Sequence, residues 1–250
     1  MPENMAFTEG LLMKHLYKYK IADLTVDVLH DSSILARNGS KYEVVSDDVA
    51  DIVIDISDEY IEKAMEYNKS FDRDYAEYFL SGICFYQKLI PFNGFMLHSS
   101  CVAVDGKGYL FAADSGTGKS THTAFWKEYI GERAVIINDD KPAVRYDNGK
   151  FTVYGTPWSG KADESANDSA VVSTVIFLER GSAFSIEKIS GRDAVEKIMP
   201  QLLHYISIEN ADTQFELIDV LLRTVPVFVM KCTPDIESAK FAWEYLSKEC

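Results

Sequence analysis

The sequence predicts an α/β fold with a mixed central sheet, joined to a small N-terminal unit of strands and one long helix. Three observations predict it. Within residues 95–140 an apolar run enters a glycine-rich turn, and a helix-compatible stretch follows. Beyond that point, apolar β-type runs and helical periods share the remaining chain, as in layered α/β architectures. Ahead of it, residues 20–56 are short and β-branched, and a helical period runs from Phe71 to Ile90. Pro91 and Gly94 punctuate the junction, which predicts an N-terminal unit over 1–91 and a main unit over 92–250.

In the N-terminal unit, residues 24–29, 33–36, 42–45 and 51–56 read as strands of a mostly antiparallel sheet. Asn38-Gly39 between two of them is a hairpin signal. Asp27, Asp51 and Asp55 alternate with apolar neighbours and mark a solvated face. Phe71, Tyr75, Phe79, Ile83, Tyr86 and Ile90 recur at steps of four and three, so they predict the core face of a five-turn helix. Residues 95–104 then read as one buried strand carrying His98, and Asp105-Gly106 turns it back into the next strand.

That next strand, residues 108–112, runs into Ala113-Asp114-Ser115-Gly116-Thr117-Gly118-Lys119-Ser120, and a helix is predicted from Thr121. Strand, glycine turn closing in Gly-Lys-Ser, then helix is the context of a phosphate-binding loop. The glycines let successive N–H groups point into one concavity, and the helix N-terminus adds partial positive charge. Lys119 would reach the β- and γ-phosphates, and the Ser120 hydroxyl would face a Mg²⁺ ion. The usual opening glycine is Ala113 here, so the chain must enter the turn without a positive φ.

After that helix, residues 134–138 form an apolar strand that ends in Asp139-Asp140, where the metal-holding carboxylate of such enzymes belongs. Successive strand residues face opposite ways, so one Asp can serve the metal while the other faces another part of the cleft. A tight hairpin between the His98 strand and the loop strand would bring the imidazole near the phosphates.

Residues 143–146 and 150–154 predict a hairpin, and 155–161 a compact loop whose composition suits a lid or a phosphate grip through Lys161. Residues 162–167 are small and acidic and are expected to be mobile. Residues 171–178, 184–189 and 225–231 read as strands. Helices are expected after Ser190 (capped with Asp193, through Tyr205), over 211–224, and after Thr233-Pro234. Arg180, Arg192 and His204 have no assignable role from sequence.

Lys and Arg number 25 against 39 Asp and Glu, a formal net charge of −14. With no basic stripe, this argues against a nucleic-acid groove. Cys84, Cys101, Cys232 and Cys250 have no metal-type spacing, and Cys84 and Cys101 lie in apolar runs that suggest buried thiols. No basic segment followed by an apolar core opens the chain, and no uncharged run is long enough to cross a bilayer. The expectation is a cytoplasmic protein with no membrane partner.

Leu97-His98, then Ser115-Gly116-Thr117-Gly118-Lys119-Ser120, then Asp139-Asp140 together resemble the catalytic domain of HPr kinase/phosphorylase. They are similar, more distantly, to ATP-dependent phosphoenolpyruvate carboxykinase. The resemblance covers about residues 95–161. It implies a P-loop kinase fold of that type and transfer of a phosphoryl group from ATP, with Mg²⁺, to a hydroxyl, most directly a serine of a protein or peptide. A small-molecule acceptor and a non-catalytic nucleotide sensor are the alternatives. It further implies nucleotide contacts from Ser115 through Ser120 and Thr121, with Lys119 on the β- and γ-phosphates. Ser120, Asp140 and His98 would serve the metal, His98 beside the transferred group, and Asp139 would be base or orienter toward the hydroxyl. An exposed Asp, near about 4, would be a weak base, but phosphoryl transfer asks little of one. The glycine- and arginine-rich stretch that follows the Asp pair in those kinases is not found; Tyr154 and the 155–161 loop stand in its place.

Overall fold

The computed structural model describes residues 14–160, 163–203 and 207–249. Among these residues the N-terminal unit is built on a three-stranded sheet. β1 (His15–Ile21) pairs antiparallel with β2 (Leu24–His30), and after α1 (Ser33–Gly39) the chain returns as β3 (Ile52–Asp55), parallel to β2. The sheet is therefore half parallel. Its hairpin turn is Ala22-Asp23, both at positive φ (52° and 62°).

Asn38-Gly39 does not make a hairpin; it closes α1. Residues 33–36 are helical because caps outweigh β-propensity. Ser32 Oγ accepts the Leu35 N–H at 3.2 Å, and the Asp74 carboxylate accepts the Ser32 and Ser33 hydroxyls. At Gly39 a side chain would stand 2.8 Å from the Tyr19 ring, so the helix end sits on that ring only as glycine. Residues 42–45 are not a strand either. Tyr42 ends a 3-10 turn, and only a bridge from Glu43 to Tyr19 touches the sheet.

Two helices follow, α2 (Asp58–Tyr67) and α3 (Arg73–Leu89). The buried face of α3 is rotated from the predicted stripe. Tyr78, Ser81, Gly82, Phe85, Tyr86 and Leu89 are buried, while Tyr75 is 40% exposed and packs with Phe71 and Phe79 in an outer aromatic cluster. The inner face meets Tyr19, Val28 and Ile54 of the small sheet, Leu35 of α1 and Trp158 of the main unit in one core.

Among the described residues the main sheet has nine strands. β4 (Gly94–Met96) and β5 (Ser99–Val104) replace the single strand predicted for 95–104. The chain breaks at Leu97-His98 because that backbone turns to another partner, with the His98 N–H donating to the Gln201 carbonyl at 2.8 Å. The break frees β4 to join the far edge. β6 (Lys107–Ala112) leads through the glycine loop into α4 (Lys119–Ile130). β7 (Ala134–Asn138), the hairpin β8 (Ala143–Asp147) and β9 (Lys150–Tyr154), and the long β10 (Ser169–Arg180) follow. After β11 (Ser185–Ile189) come α5 (Gly191–Ile198), α6 (Ile208–Thr224), β12 (Val227–Cys232) and α7 (Ile236–Glu249). Strand order is β4-β8-β9-β10-β6-β5-β7, with β12 on the second half of β10 and β11 outside it.

α5 ends at Ile198, well short of Tyr205, which lies outside the described residues; a 3-10 turn carrying Pro200 follows it. Its start shows no side-chain cap, so Ser190 and Asp193 do not form the expected box. α4 and α7 cover one face around Trp126, while α5 and α6 cover the other around Val175 and Leu217. No helix among the described residues is long and apolar enough to cross a membrane.

This core makes stability pH-dependent. Trp126 Nε1 donates to His122 Nε2 at 3.1 Å, so that nitrogen must accept and the buried ring is neutral. Burial lowers His122 to about 4, and burial likewise lowers His30 to about 4. Both values lie below the unfolded value of 6.5, so the unfolded chain binds more protons between them and stability is lost as pH falls. Urea unfolding at pH 7 and pH 5 should differ by on the order of 2 kcal/mol for each histidine. Equal midpoints would contradict the neutral burial of both rings.

Candidate active site

Strand direction decides which residues meet. β5 runs antiparallel to both β6 and β7, and β10 runs parallel to β6. The start of β5 and the ends of β6, β7 and β10 therefore lie along one sheet edge. That edge gathers His98, the glycine loop, Asp139, Asp140 and Arg180.

The loop is built by its glycines. Gly116 (φ 79°) and Gly118 (φ 114°) take left-handed conformations, and Ala113 does not. Gly118 starts α4 with no side-chain cap and no acidic residue in the first turn, which leaves the helix N-terminus open to an anion. Thr117 N–H closes the turn on the Asp114 carbonyl at 3.1 Å. Lys119 is buried, and its ammonium donates to the Ala113 carbonyl at 3.0 Å. Burial lowers its pKa, against the raising charges of Asp140 and Asp114. Ser120 Oγ donates to the Asp139 carbonyl oxygen at 3.3 Å, which ties the loop helix to the carboxylate pair. Thr121 follows in the first turn of α4.

Asn138 organises the pair. It is fully buried; its Oδ1 accepts the N–H groups of Asp140 (2.9 Å) and Lys141 (2.7 Å), and its Nδ2 donates to Thr156 Oγ1 at 3.1 Å. The two aspartates then diverge, as alternation predicts. Asp139 is not exposed: it retains 2% of its surface and accepts the Gly160 N–H at 2.6 Å. Burial raises its pKa; the Gly160 bond opposes that and the Asp140 charge adds to it. Asp140 accepts from His98 Nε2 at 3.0 Å on one oxygen, while Lys141 holds the other. Burial pushes Asp140 up, but the His98 bond and Lys141 outweigh it and hold the carboxyl well below its usual range.

Residues 155–160 are no lid. Thr156, Trp158 and Ser159 are buried, Trp158 Nε1 donates to Ser81 Oγ at 3.1 Å, and the Ser159 N–H donates to Tyr78 Oη at 3.1 Å. The loop is pinned to α3 and supports Asp139 from behind. Lys161 lies outside the described residues. Residues 163–167 are held as well: Asp139 N–H donates to the Glu164 carbonyl (3.0 Å), and Asp163 pairs with Arg37 (3.0 Å). At Gly160 a side chain would stand 2.9 Å from an Asp139 oxygen. Gly160→Ala should therefore displace that carboxylate and lower turnover about tenfold at unchanged thermal midpoint. Full activity in that variant would contradict the support role.

Asn138, Lys141, Arg180 and Gln201 are site residues that sequence reasoning missed. Arg180 donates to the Gly116 carbonyl at 2.9 Å. Lys141 adjoins Asp140 in the sequence, and Arg180 ends a long apolar strand; Asn138 and Gln201 carry no comparable signal. For a metal, the fit is partial. No cluster of three or more His, Cys, Asp or Glu with metal-holding geometry occurs among the described residues. Ser120 and Asp140 suit a Mg²⁺ that arrives on phosphate oxygens, since such ions need only one or two protein ligands. Cys101 is buried, Cys84 only half-buried, and neither is disulfide-bonded.

No family model matches the chain, and no curated protein matches its sequence. Among solved structures, the HPr(Ser) kinase/phosphatase from Coxiella burnetii aligns over 62% of this chain and 95% of that one, at 11% sequence identity and a TM-score of 0.35. A likeness of that size transfers neither activity nor site roles. The fold and site define a mixed α/β protein with a strand–glycine loop–helix unit facing a carboxylate pair, Asp139 buried and Asp140 half-buried.

Proposed function

We propose that the protein transfers the γ-phosphoryl group of ATP to a hydroxyl, foremost that of serine, whether in a protein, in a peptide or free. One observation supports this most: Lys119, Ser120, His98, Asp139 and Asp140, spread over 43 positions of sequence (residues 98–140), meet at a single sheet edge. In this reading the N–H groups of residues 115–121 bind the phosphates and Lys119 neutralises the β- and γ-oxygens. Mg²⁺ bound with the nucleotide, near Ser120, Asp140 and His98, would supply further charge neutralisation. Asp139, raised by burial, accepts the acceptor proton. His98 orients Asp140 from the opposite side to Lys141.

A second reading, a nucleotide-binding sensor without transfer, is favoured by one feature: both Asp140 oxygens are already engaged, by His98 and Lys141. Incubation with γ-labelled ATP and Mg²⁺, alone and with HPr, free serine or a cell extract, separates the two. Label on an acceptor supports the kinase. Bound nucleotide with no label anywhere supports the sensor, and no bound nucleotide contradicts both.

A further inference from the structure

We propose that the cavity between the glycine loop and α5 binds the amine of a small hydroxylated acceptor; the proposal rests on the kinase reading above. The cavity measures about 360 Å³ and is walled by Asp114, Thr117, Glu179, Arg180, Lys197 and Gln201 among others. That size falls at the low end of small-molecule sites (roughly 300–1,000 Å³) and suits a metabolite better than a folded partner.

Its chemistry asks for a donor. Gln201 is only 6% exposed, and its Oε1 is buried without a hydrogen-bond partner among the described residues. A buried carbonyl left in that condition is costly, and rotation of the Gln201 side chain toward the cavity would offer it to a ligand N–H. Of the two cations on the wall, Lys197 pairs with Glu179 at 2.6 Å, whereas Arg180 meets only the neutral Gly116 carbonyl at 2.9 Å and keeps its charge; the carboxylates Asp114, Glu179 and Glu196 outnumber them. The Asp114 carboxylate stands on the same wall, where it repels phosphate and attracts an ammonium group. Phosphates therefore belong at the α4 N-terminus, and an amine belongs here.

Position decides whose amine it is. The backbone carbonyl of Gln201 accepts the His98 backbone N–H at 2.8 Å, so the Gln201 end of the cavity adjoins the His98–Asp140 pair. In the kinase reading that pair marks the γ-phosphate, and a nucleobase lies at the opposite end of the triphosphate. An acceptor seated here would present its hydroxyl to the γ-phosphate while its amine meets Gln201 and Asp114.

The test is calorimetric titration of the full chain. Wild type, Gln201→Leu and Gln201→Glu are titrated with a non-hydrolysable ATP analogue and Mg²⁺. L-serine, ethanolamine or the amine-free 3-hydroxypropanoate is then added. We expect serine and ethanolamine to bind wild type at least about tenfold more tightly than 3-hydroxypropanoate. Gln201→Leu should lose that preference, Gln201→Glu should keep it, and analogue affinity should stay within about twofold throughout. Since Oε1 has no partner to lose, Gln201→Leu should melt with wild type. Failure of both amines to bind, or no preference over 3-hydroxypropanoate, overturns the proposal. Weaker analogue binding in Gln201→Leu also overturns it, by giving the cavity to the nucleobase. Wild type that does not bind the analogue at all contradicts the nucleotide reading instead.

Discussion

Asp139→Asn is expected to slow phosphoryl transfer at least ~100-fold, about 2.7 kcal/mol of barrier, with nucleotide affinity unchanged. The substitution is nearly isosteric, and an Asn oxygen can still accept the Gly160 N–H that fixes Asp139 at 2.6 Å. What it removes is the proton acceptor. Positioning and charge neutralisation carry most of such a barrier, so the loss is large without being total. The pH profile adds a second readout. Burial first, and the Asp140 charge with it, raise Asp139 despite the Gly160 bond. Turnover should therefore fall on the acid side at a pH above the ordinary carboxylate range, as Asp139 takes up a proton. Wild-type turnover in the variant, or an acid limb no higher than that of an exposed carboxylate, would contradict the assignment.

Lys119→Ala should also slow transfer at least ~100-fold, and unlike Asp139→Asn it should weaken nucleotide binding. The ammonium is buried at 7% exposure, with the Ala113 carbonyl at 3.0 Å as its neutral partner. Burial disfavours its charge, so a phosphate replacing that carbonyl would gain strongly. The ligand-free variant should keep most of its stability, because removing a desolvated cation offsets the lost packing. Thermal melts without and with ATP check both halves. Nucleotide stabilisation equal in variant and wild type would contradict the role of Lys119.

Much of this arrangement could be read from residue order. The strand–loop–helix unit at Gly116, Gly118 and Lys119 is local, as are the β8–β9 hairpin and the Asp139-Asp140 pair after β7. Each is set by composition over a few neighbours. That His98 lies near the glycine loop followed from one further step, that its strand folds back antiparallel on β6; its contact with Asp140 depends on the β5–β7 pairing, which residue order did not show. What escaped was decided at a distance. Residues 33–36 look like a strand, yet the Asp74 carboxylate, some 40 positions away, caps them into a helix. The β1–β2 turn uses Ala22-Asp23 at positive φ, which no glycine or asparagine announces. The stripe from Phe71 to Ile90 was periodic, but Gly82 and Ser81 decide the buried face because Trp158 packs on them. The same indole makes residues 155–160, part of the expected lid, a fixed support. Asp139 looked exposed for the same reason: nothing near it in sequence shows that Gly160 and Glu164 close over it. Gln201 and Arg180 come from strands and turns far along the chain, and only the sheet order brings them to the loop.

The central claim is that residues 115–121 hold the phosphates of a nucleotide. Calorimetric titration of the wild-type chain with ATP, with and without Mg²⁺ and beside Lys119→Ala, tests it most directly. The account predicts saturable binding to one site, tighter with Mg²⁺ and clearly weaker in Lys119→Ala. No binding by wild type, or binding that Lys119→Ala leaves untouched, would contradict it.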